Sequence, residues 1–161
     1  MGAIKAGVAA PDFTLTNLEG QPVQLAQLRG APLLLNFYNS TCSWCQMEMP
    51  RLADVYRRQA DVDVQVLGIV TADDEATAAA FAKDKRLDFP SVLDSEHQVC
   101  ADYAVERVPT LVLVNAEGVV DCVYEGASEQ LAGVVEQTML AAARGDELPE
   151  YRLIGNGCGP N

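Results

Sequence analysis

Residues 32–45 read Pro-Leu-Leu-Leu-Asn-Phe-Tyr-Asn-Ser-Thr-Cys-Ser-Trp-Cys, and this stretch decides the fold. Its first half, residues 32–38, is a continuous apolar run typical of a strand buried on both faces of a sheet. Apolar residues then recur at helical spacing: Cys45, Met49, Leu52 and Tyr56. They predict a helix from the two cysteines to about Arg58, bent at Pro50. The order is therefore strand, cysteine pair, helix.

Strand and helix signals alternate along the rest of the chain, without an internal repeat. Residues 62–70 predict a second central strand, parallel to the first because a helix connects them. The other predicted elements are a hairpin around Gly20, a helix at 75–86, a segment near 89–93, a short helix near 96–103, a hairpin at 110–124 and a helix at 128–144 with Gly145 as its C-cap. This order predicts an α/β fold in which helices flank a mixed sheet.

Length and composition indicate one domain. The chain has 161 residues, of which 49% are hydrophobic, which is enough for one core and too few for two ordinary ones. We expect the domain to span residues 1–145, with the N-terminal hairpin at about 10–30 and a flexible Gly- and Pro-containing tail at 146–161.

The charge balance excludes some classes of partner. There are 23 acidic and 11 basic residues, giving a net charge of −12, which opposes binding to nucleic acid or to anionic membrane surfaces. No apolar run approaches the roughly 18 residues of a membrane span. No signal peptide is visible at residues 1–10, and localisation stays open between the cytoplasm and an exported, periplasmic site of a bacterial cell.

The chemistry of the sequence centres on Cys42 and Cys45. Two thiols separated by two residues at a helix N-terminus can close a small disulfide. Unpaired backbone N–H groups and the helix dipole favour the thiolate of Cys42, so Cys42 is the predicted nucleophile. Cys45, one turn further along, is the predicted resolving thiol. A zinc-bound pair is the alternative, but no second Cys-x-x-Cys or histidine pair completes such a site.

The three other cysteines occur singly. Cys100 and Cys122 fall within predicted elements and are expected to be small core residues. Cys158 lies in the Gly-rich tail, where it is either a third redox partner or an incidental thiol.

Three segments together resemble the thioredoxin-like reductases of the TlpA and ResA type, in the AhpC/TSA-redoxin superfamily. The first is residues 36–45 followed by Glu48-Met49-Pro50, which looks like the dithiol segment of these proteins. Residues 10–15 with Gly20 and residues 28–30 match their N-terminal hairpin, and residues 107–110 match their cis-proline loop. The resemblance covers about residues 10–143. It implies a thioredoxin-like fold and thiol–disulfide exchange, in the reducing direction.

The resemblance also implies site residues beyond the cysteines. Pro109 corresponds to the family's cis-proline, where the preceding Val108 offers backbone groups to an extended substrate. Trp44, a large apolar side chain between the cysteines, joins them as a substrate-binding candidate. The Ser43-Trp44 dipeptide departs from the family, which more often has proline before the second cysteine, so the reduction potential is left open.

A proton acceptor for Cys45 is also implied. Thioredoxin uses an acid on the strand before the dithiol, where this chain has Asn36. In ResA-like proteins a carboxylate just after the second central strand takes the part, and alignment from Phe89-Pro90 places Asp74 there. Its neighbours Asp73 and Glu75 are rivals, and the alternative is that the turn only caps the next helix. Glu48 is expected on the exposed side of the first helix.

Two other functions stay open at this point. A peroxiredoxin is disfavoured because those enzymes carry threonine three residues before the peroxidatic cysteine. In this chain the residue three positions before Cys42 is Asn39, and the residue three positions before Cys45 is Cys42. A copper or zinc carrier is also conceivable through soft thiolates, although no histidine is placed to help. The sequence predicts no cofactor and no resident metal. We expect a monomer whose partners are a disulfide-containing protein and an upstream dithiol donor.

Overall fold

The computed structural model describes residues 4–149 and contains one seven-stranded mixed sheet. The strands are β1 (Thr14–Asn17), β2 (Pro22–Gln24), β3 (Leu33–Tyr38), β4 (Gln65–Thr71), β5 (Ser91–Asp94), β6 (Thr110–Val114) and β7 (Val120–Glu125). The helices are α1 (Ser43–Arg58), α2 (Glu75–Asp84), α3 (Gln98–Asp102) and α4 (Leu131–Arg144). These elements confirm the predicted order and the thioredoxin-like α/β fold.

The sheet order is β2-β1-β5-β4-β3-β6-β7. The strands β5, β4 and β3 are parallel, as required by the helical connections between them, and β6 runs antiparallel to β3. The predicted N-terminal hairpin is β1 and β2, and β1 extends the sheet by pairing antiparallel with β5.

Alternation along β3 divides the core into two halves. Leu34 and Tyr38 point to the half formed with α1, α2 and α4, while Leu35 and Phe37 point to the half formed with α3 and the N-terminal segment. All six residues of β3 are buried, which explains why its sequence is apolar on both faces of the sheet rather than alternating, with Asn36 as the one polar residue.

The last helix ends as the sequence predicts. Gly145 has φ +69° and is the C-cap of α4, and the N–H of Asp146 donates to the carbonyl of Ala141. Most of the predicted tail, including Cys158, lies outside the described residues. Within residues 4–149 no helix combines the length and apolarity needed to span a bilayer.

Candidate active site

Three loops meet at one edge of the sheet. Because β3 and β4 are parallel and Tyr38 pairs with Val70, the segments that follow both strands leave at the same edge. β6 runs the opposite way and Thr110 pairs with Phe37, so the segment that precedes β6 reaches this edge too. The topology thus brings together the dithiol loop, the β4–α2 loop and the Val108–Pro109 segment.

Cys42 is the N-cap of α1. Its Sγ accepts a hydrogen bond from the N–H of Cys45 at 3.1 Å and, as a thiol, donates to the carbonyl of Val108 at 3.4 Å. The N–H and the helix N-terminus both stabilise negative charge on this sulfur. Cys42 is also partly exposed, so its sulfur can be reached from solvent.

Cys45 is fully buried, at 0% exposure, within the first turn of α1. Burial raises the pKa of its thiol well above the ordinary value, and the hydrogen bond to Cys42 and the nearby charges of Cys42 and Asp73 act in the same direction. Cys45 therefore stays protonated at neutral pH unless a base removes its proton.

These environments predict different reactivities for the two thiols. Limiting alkylating reagent added to the reduced protein should modify Cys42 well before Cys45, because only Cys42 of the two is accessible and the thiolate is the form that attacks the reagent. Mass spectrometry of peptides after short labelling times measures the two rates. Faster labelling of Cys45 would contradict the roles assigned to the pair, and the buried Cys100 serves as an internal control.

Asn39 fixes the turn that carries Cys42. Its Oδ1 accepts the N–H of Cys42 at 3.0 Å and the hydroxyl of Thr41 at 3.1 Å, while its Nδ2 donates to Thr71 Oγ1 at 3.2 Å. This role of Asn39 was not predicted, although asparagine is a common turn-forming residue and stands here three positions before the N-cap.

Asp73 ties the dithiol loop to the β4–α2 loop. Its carboxylate is buried and accepts the N–H of Ser40 at 2.8 Å and the hydroxyl of Ser40 at 2.9 Å. Its charge contributes to the raised pKa of Cys45. Asp73 is thus a buried carboxylate that is bonded to the dithiol loop and whose charge acts on Cys45.

Asp74 takes no part in the hydrogen bonds between Asp73 and Ser40. It is the exposed N-cap of α2, and its carboxylate accepts the N–H of Thr77 at 2.7 Å, an interaction that lowers the pKa of Asp74. Glu75 follows in the exposed first turn of the helix. The helix-capping alternative therefore describes the position of Asp74, and its role as proton acceptor stays a prediction.

We expected Glu48 on the exposed side of α1, and this prediction is wrong, because Glu48 is buried at 0% exposure. Its Oε1 contacts Arg51 Nη1 at 3.3 Å, while its Oε2 has no hydrogen-bond partner. Burial raises the pKa of this carboxyl group, and Arg51 opposes the rise only in part. The signal was present in the sequence, because Glu48 falls three residues after Cys45 and four before Leu52, on the buried face of the helix.

The candidate substrate-binding residues surround Cys42. The Val108–Pro109 peptide bond is cis, and the Val108 carbonyl faces the Cys42 sulfur. Trp44 is exposed on the first turn of α1, at 46%. The site thus has a partly exposed sulfur beside the Val108–Pro109 segment, with Trp44 exposed on the same first turn of α1.

The remaining cysteines of the described chain are buried in the sheet and beneath it. Cys122 lies in β7, and Cys100 lies in α3, where burial and Asp94 raise the pKa of its thiol to about 12. Across residues 4–149 no group of three or more His, Cys, Asp or Glu side chains is arranged to hold a metal ion.

Comparisons with known proteins agree with this geometry. The model of the AhpC/TSA family matches residues 6–123. Thiol-disulfide oxidoreductase ResA of Geobacillus thermodenitrificans is 33% identical over 124 residues, covering 77% of this chain and 71% of that protein.

Two solved structures share this fold. The thioredoxin domain of a thiol-disulfide oxidoreductase from Bacteroides vulgatus superposes with a TM-score of 0.73 and 27% identity, covering 83% of this chain and 97% of that one. The peroxidoxin BcpB of Mycobacterium tuberculosis superposes with a TM-score of 0.74 and 25% identity, covering 88% and 97%.

Proposed function

We propose that this protein reduces disulfides in protein substrates. The premise is that the chain belongs to the AhpC/TSA family and is a thiol–disulfide oxidoreductase of the Cys-x-x-Cys type. The observation that carries the proposal is the contrast between the two thiols: an accessible Cys42 at a helix N-terminus and a buried, protonated Cys45 one turn away. Such a pair suits a two-step exchange in which one sulfur attacks and the other resolves.

In the first step the Cys42 thiolate attacks one sulfur of the substrate disulfide. The substrate S–S bond breaks, and its other sulfur leaves as a thiolate that takes up a proton. In the second step Cys45 loses its proton and attacks Cys42 Sγ, which releases the second substrate sulfur. The substrate has gained two electrons, and the protein holds a Cys42–Cys45 disulfide that an upstream dithiol donor must reduce.

Three neighbouring groups support substrate binding beside Cys42. The Val108–Pro109 segment lies beside the Cys42 sulfur, where it would bind the backbone of an extended substrate segment, and Trp44 offers an exposed apolar surface. The partner class is therefore a protein with an accessible disulfide, bound by a monomer of this chain.

The proton of Cys45 needs an acceptor, and Asp73 is the carboxylate that we assign to it. Its burial against Ser40 and its electrostatic influence on Cys45 support this choice over the predicted Asp74, whose carboxylate is exposed and caps α2. Glu48, with its unpartnered Oε2, is the second candidate.

A peroxidase is the alternative function, favoured by the structural likeness to a peroxidoxin. The reduced protein should reduce insulin disulfides catalytically when supplied with dithiothreitol, and should consume hydrogen peroxide no faster than the Cys42→Ser variant does. Rapid, Cys42-dependent peroxide consumption without insulin reduction would replace our proposal by the peroxidase.

The direction of exchange has its own test. Equilibration with glutathione or dithiothreitol buffers, followed by trapping of the thiols, should give a reduction potential near the thioredoxin end of the range rather than the DsbA end. An oxidising potential would reverse the assignment of direction while leaving the exchange chemistry intact.

A further inference from the structure

One cysteine of the sheet is already bonded to another. Cys122 lies in β7, and its sulfur is part of a disulfide. Among residues 4–149 the other cysteines are Cys42, Cys45 and Cys100, and all three are free. The full chain has five cysteines, and the fifth is Cys158. Elimination therefore leaves Cys158 as the partner of Cys122 within this chain.

The described end of the chain lies beside the same part of the core as Cys122. Cys122 belongs to the core half formed with α1, α2 and α4, and Leu148, four residues after the end of α4, packs against that half. Residues 149–158 in an extended conformation span roughly 33 Å. The chain is therefore long enough for Cys158 to approach Cys122 within the roughly 6 Å between Cα atoms that a disulfide requires.

Cys122 is remote from the Cys42–Cys45 dithiol. It pairs with Leu113 in β6. Leu113 in turn pairs with Leu34, four residues before Tyr38 at the edge where the dithiol loop leaves β3. At about 3.3 Å per residue, Cys122 lies roughly 13 Å along the sheet from that edge. Its side chain is also buried, at 1% exposure. The Cys122 sulfur is thus out of reach of Cys42 and shielded from dithiols in solution.

We propose that Cys122 and Cys158 form a structural disulfide that ties the C-terminus of the chain to β7. The two thiols lose two electrons and two protons to a disulfide oxidant such as oxidised glutathione, whose S–S bond breaks to give two thiols. The closed loop, residues 122–158, contains the whole of α4. Closing it restricts the unfolded chain and so stabilises the fold.

The tie differs from the catalytic pair in its chemistry. Breaking it would leave a Cys122 thiolate in the core, where burial disfavours charge, so this thiol is a poor leaving group. The disulfide should therefore persist under conditions that reduce Cys42–Cys45. Lasting structural disulfides are typical of oxidising compartments, which agrees with the exported one of the two locations that the sequence leaves open.

Thiol counting in the full chain tests the pairing. The protein is oxidised with oxidised glutathione, treated with dithiothreitol without denaturant, and then denatured in excess alkylating reagent and weighed by mass spectrometry. Three thiols should be alkylated, those of Cys42, Cys45 and Cys100, and all five only when dithiothreitol acts on the denatured chain. Alkylation of all five after native reduction would overturn the proposal.

Peptide mapping of the natively reduced sample identifies the partner. Trypsin should release residues 108–144 joined by a disulfide to residues 153–161. An unlinked 153–161 peptide would overturn the proposal. A link from that peptide to the one that carries Cys42 and Cys45 would make Cys158 a redox partner of the dithiol, and a link between two copies of it would make the disulfide intermolecular. Either result would also overturn the tie.

Cys158→Ser tests the effect on stability. With both proteins oxidised, the variant should melt roughly 5–15 °C below the wild type, the shift expected for loss of one structural disulfide in a chain of this size. Insulin reduction at room temperature should be unchanged. Asn161→Ser, a matched change in the same terminal segment, should melt like the wild type. An unchanged melting temperature in Cys158→Ser would overturn the stabilising role. Failure of the wild type to reduce insulin while the peptides are linked would overturn the proposed function and leave the tie in place.

Discussion

Cys45→Ser is expected to accumulate a mixed disulfide between Cys42 and the substrate, with turnover falling to background. The variant keeps the accessible sulfur that attacks but lacks the buried thiol that resolves, so the reaction stops after its first step. Incubation with a protein disulfide, followed by non-reducing electrophoresis and mass spectrometry, detects the adduct. Because serine is nearly isosteric with cysteine, the packing of the buried first turn of α1 should be retained.

Cys42→Ser is the matched control. It removes the attacking sulfur, so it should lose turnover as completely as Cys45→Ser and yet form no adduct. The remaining Cys45 thiol is buried, and burial raises its pKa, so it stays protonated and neither reaches nor attacks the substrate. Trapping of equal amounts of adduct by both variants would show that the two thiols are interchangeable, against the asymmetry of the site.

Asp73→Asn is expected to slow the second step by roughly 10²–10⁴-fold, the effect of losing one positioned acid or base. The first attack, by Cys42, should be nearly unaffected. A chromogenic aromatic disulfide separates the two steps, because each step releases one coloured thiol. The defect should shrink as pH rises, since the raised pKa of Cys45 means that its thiolate forms unaided only in alkaline solution.

The sign of the effect distinguishes a base from a mere neighbouring charge. The negative charge of Asp73 helps to raise the pKa of Cys45, so removing that charge lowers this pKa. If Asp73 took no part in proton transfer, Asp73→Asn would therefore speed up the second step. Slowing, with Ser40→Ala nearly unaffected, is the result expected if the carboxylate accepts the proton.

Three further variants control this experiment. Ser40→Ala removes one hydrogen bond to Asp73 but keeps its charge, and should change the second step far less. Asp74→Asn should leave it unchanged, because asparagine is itself a good helix cap and the Asp74 carboxylate is exposed. A large loss in Asp74→Asn would restore the role that the sequence predicts for it, and a large loss in Glu48→Gln alone would assign the proton to Glu48.

The fold and the dithiol could be read from local sequence patterns. The apolar run of β3 and the helical spacing after it predict a helix that begins at the dithiol, where α1 begins at Ser43, and Gly145 marks the end of α4. Each of these signals depends on residues within a few positions of one another, and the fold agrees with them, so the sequence alone was sufficient.

The polar environment of the dithiol was harder to predict from local sequence patterns. Helical spacing places Glu48 on the buried face of α1, but a carboxylate there conflicts with the usual preference of charged residues for solvent. The expectation of an exposed Glu48 followed that preference. The structure instead surrounds the side chain with the core and leaves Arg51 as its charged partner.

Only the tertiary structure shows that Asp73 and Asp74 lie in different environments. Ala72 has φ +64°, a left-handed conformation that no residue pattern in this segment announces. After this turn the Asp73 carboxylate accepts hydrogen bonds from Ser40, which lies in a loop 33 positions earlier in the chain, while Asp74 caps α2. Local sequence determined that a dithiol stands at a helix N-terminus. That Asp73, and not Asp74, is bonded to the dithiol loop follows from the parallel pairing of β3 with β4 and from the turn at Ala72, because adjacent residues in a turn can face opposite directions.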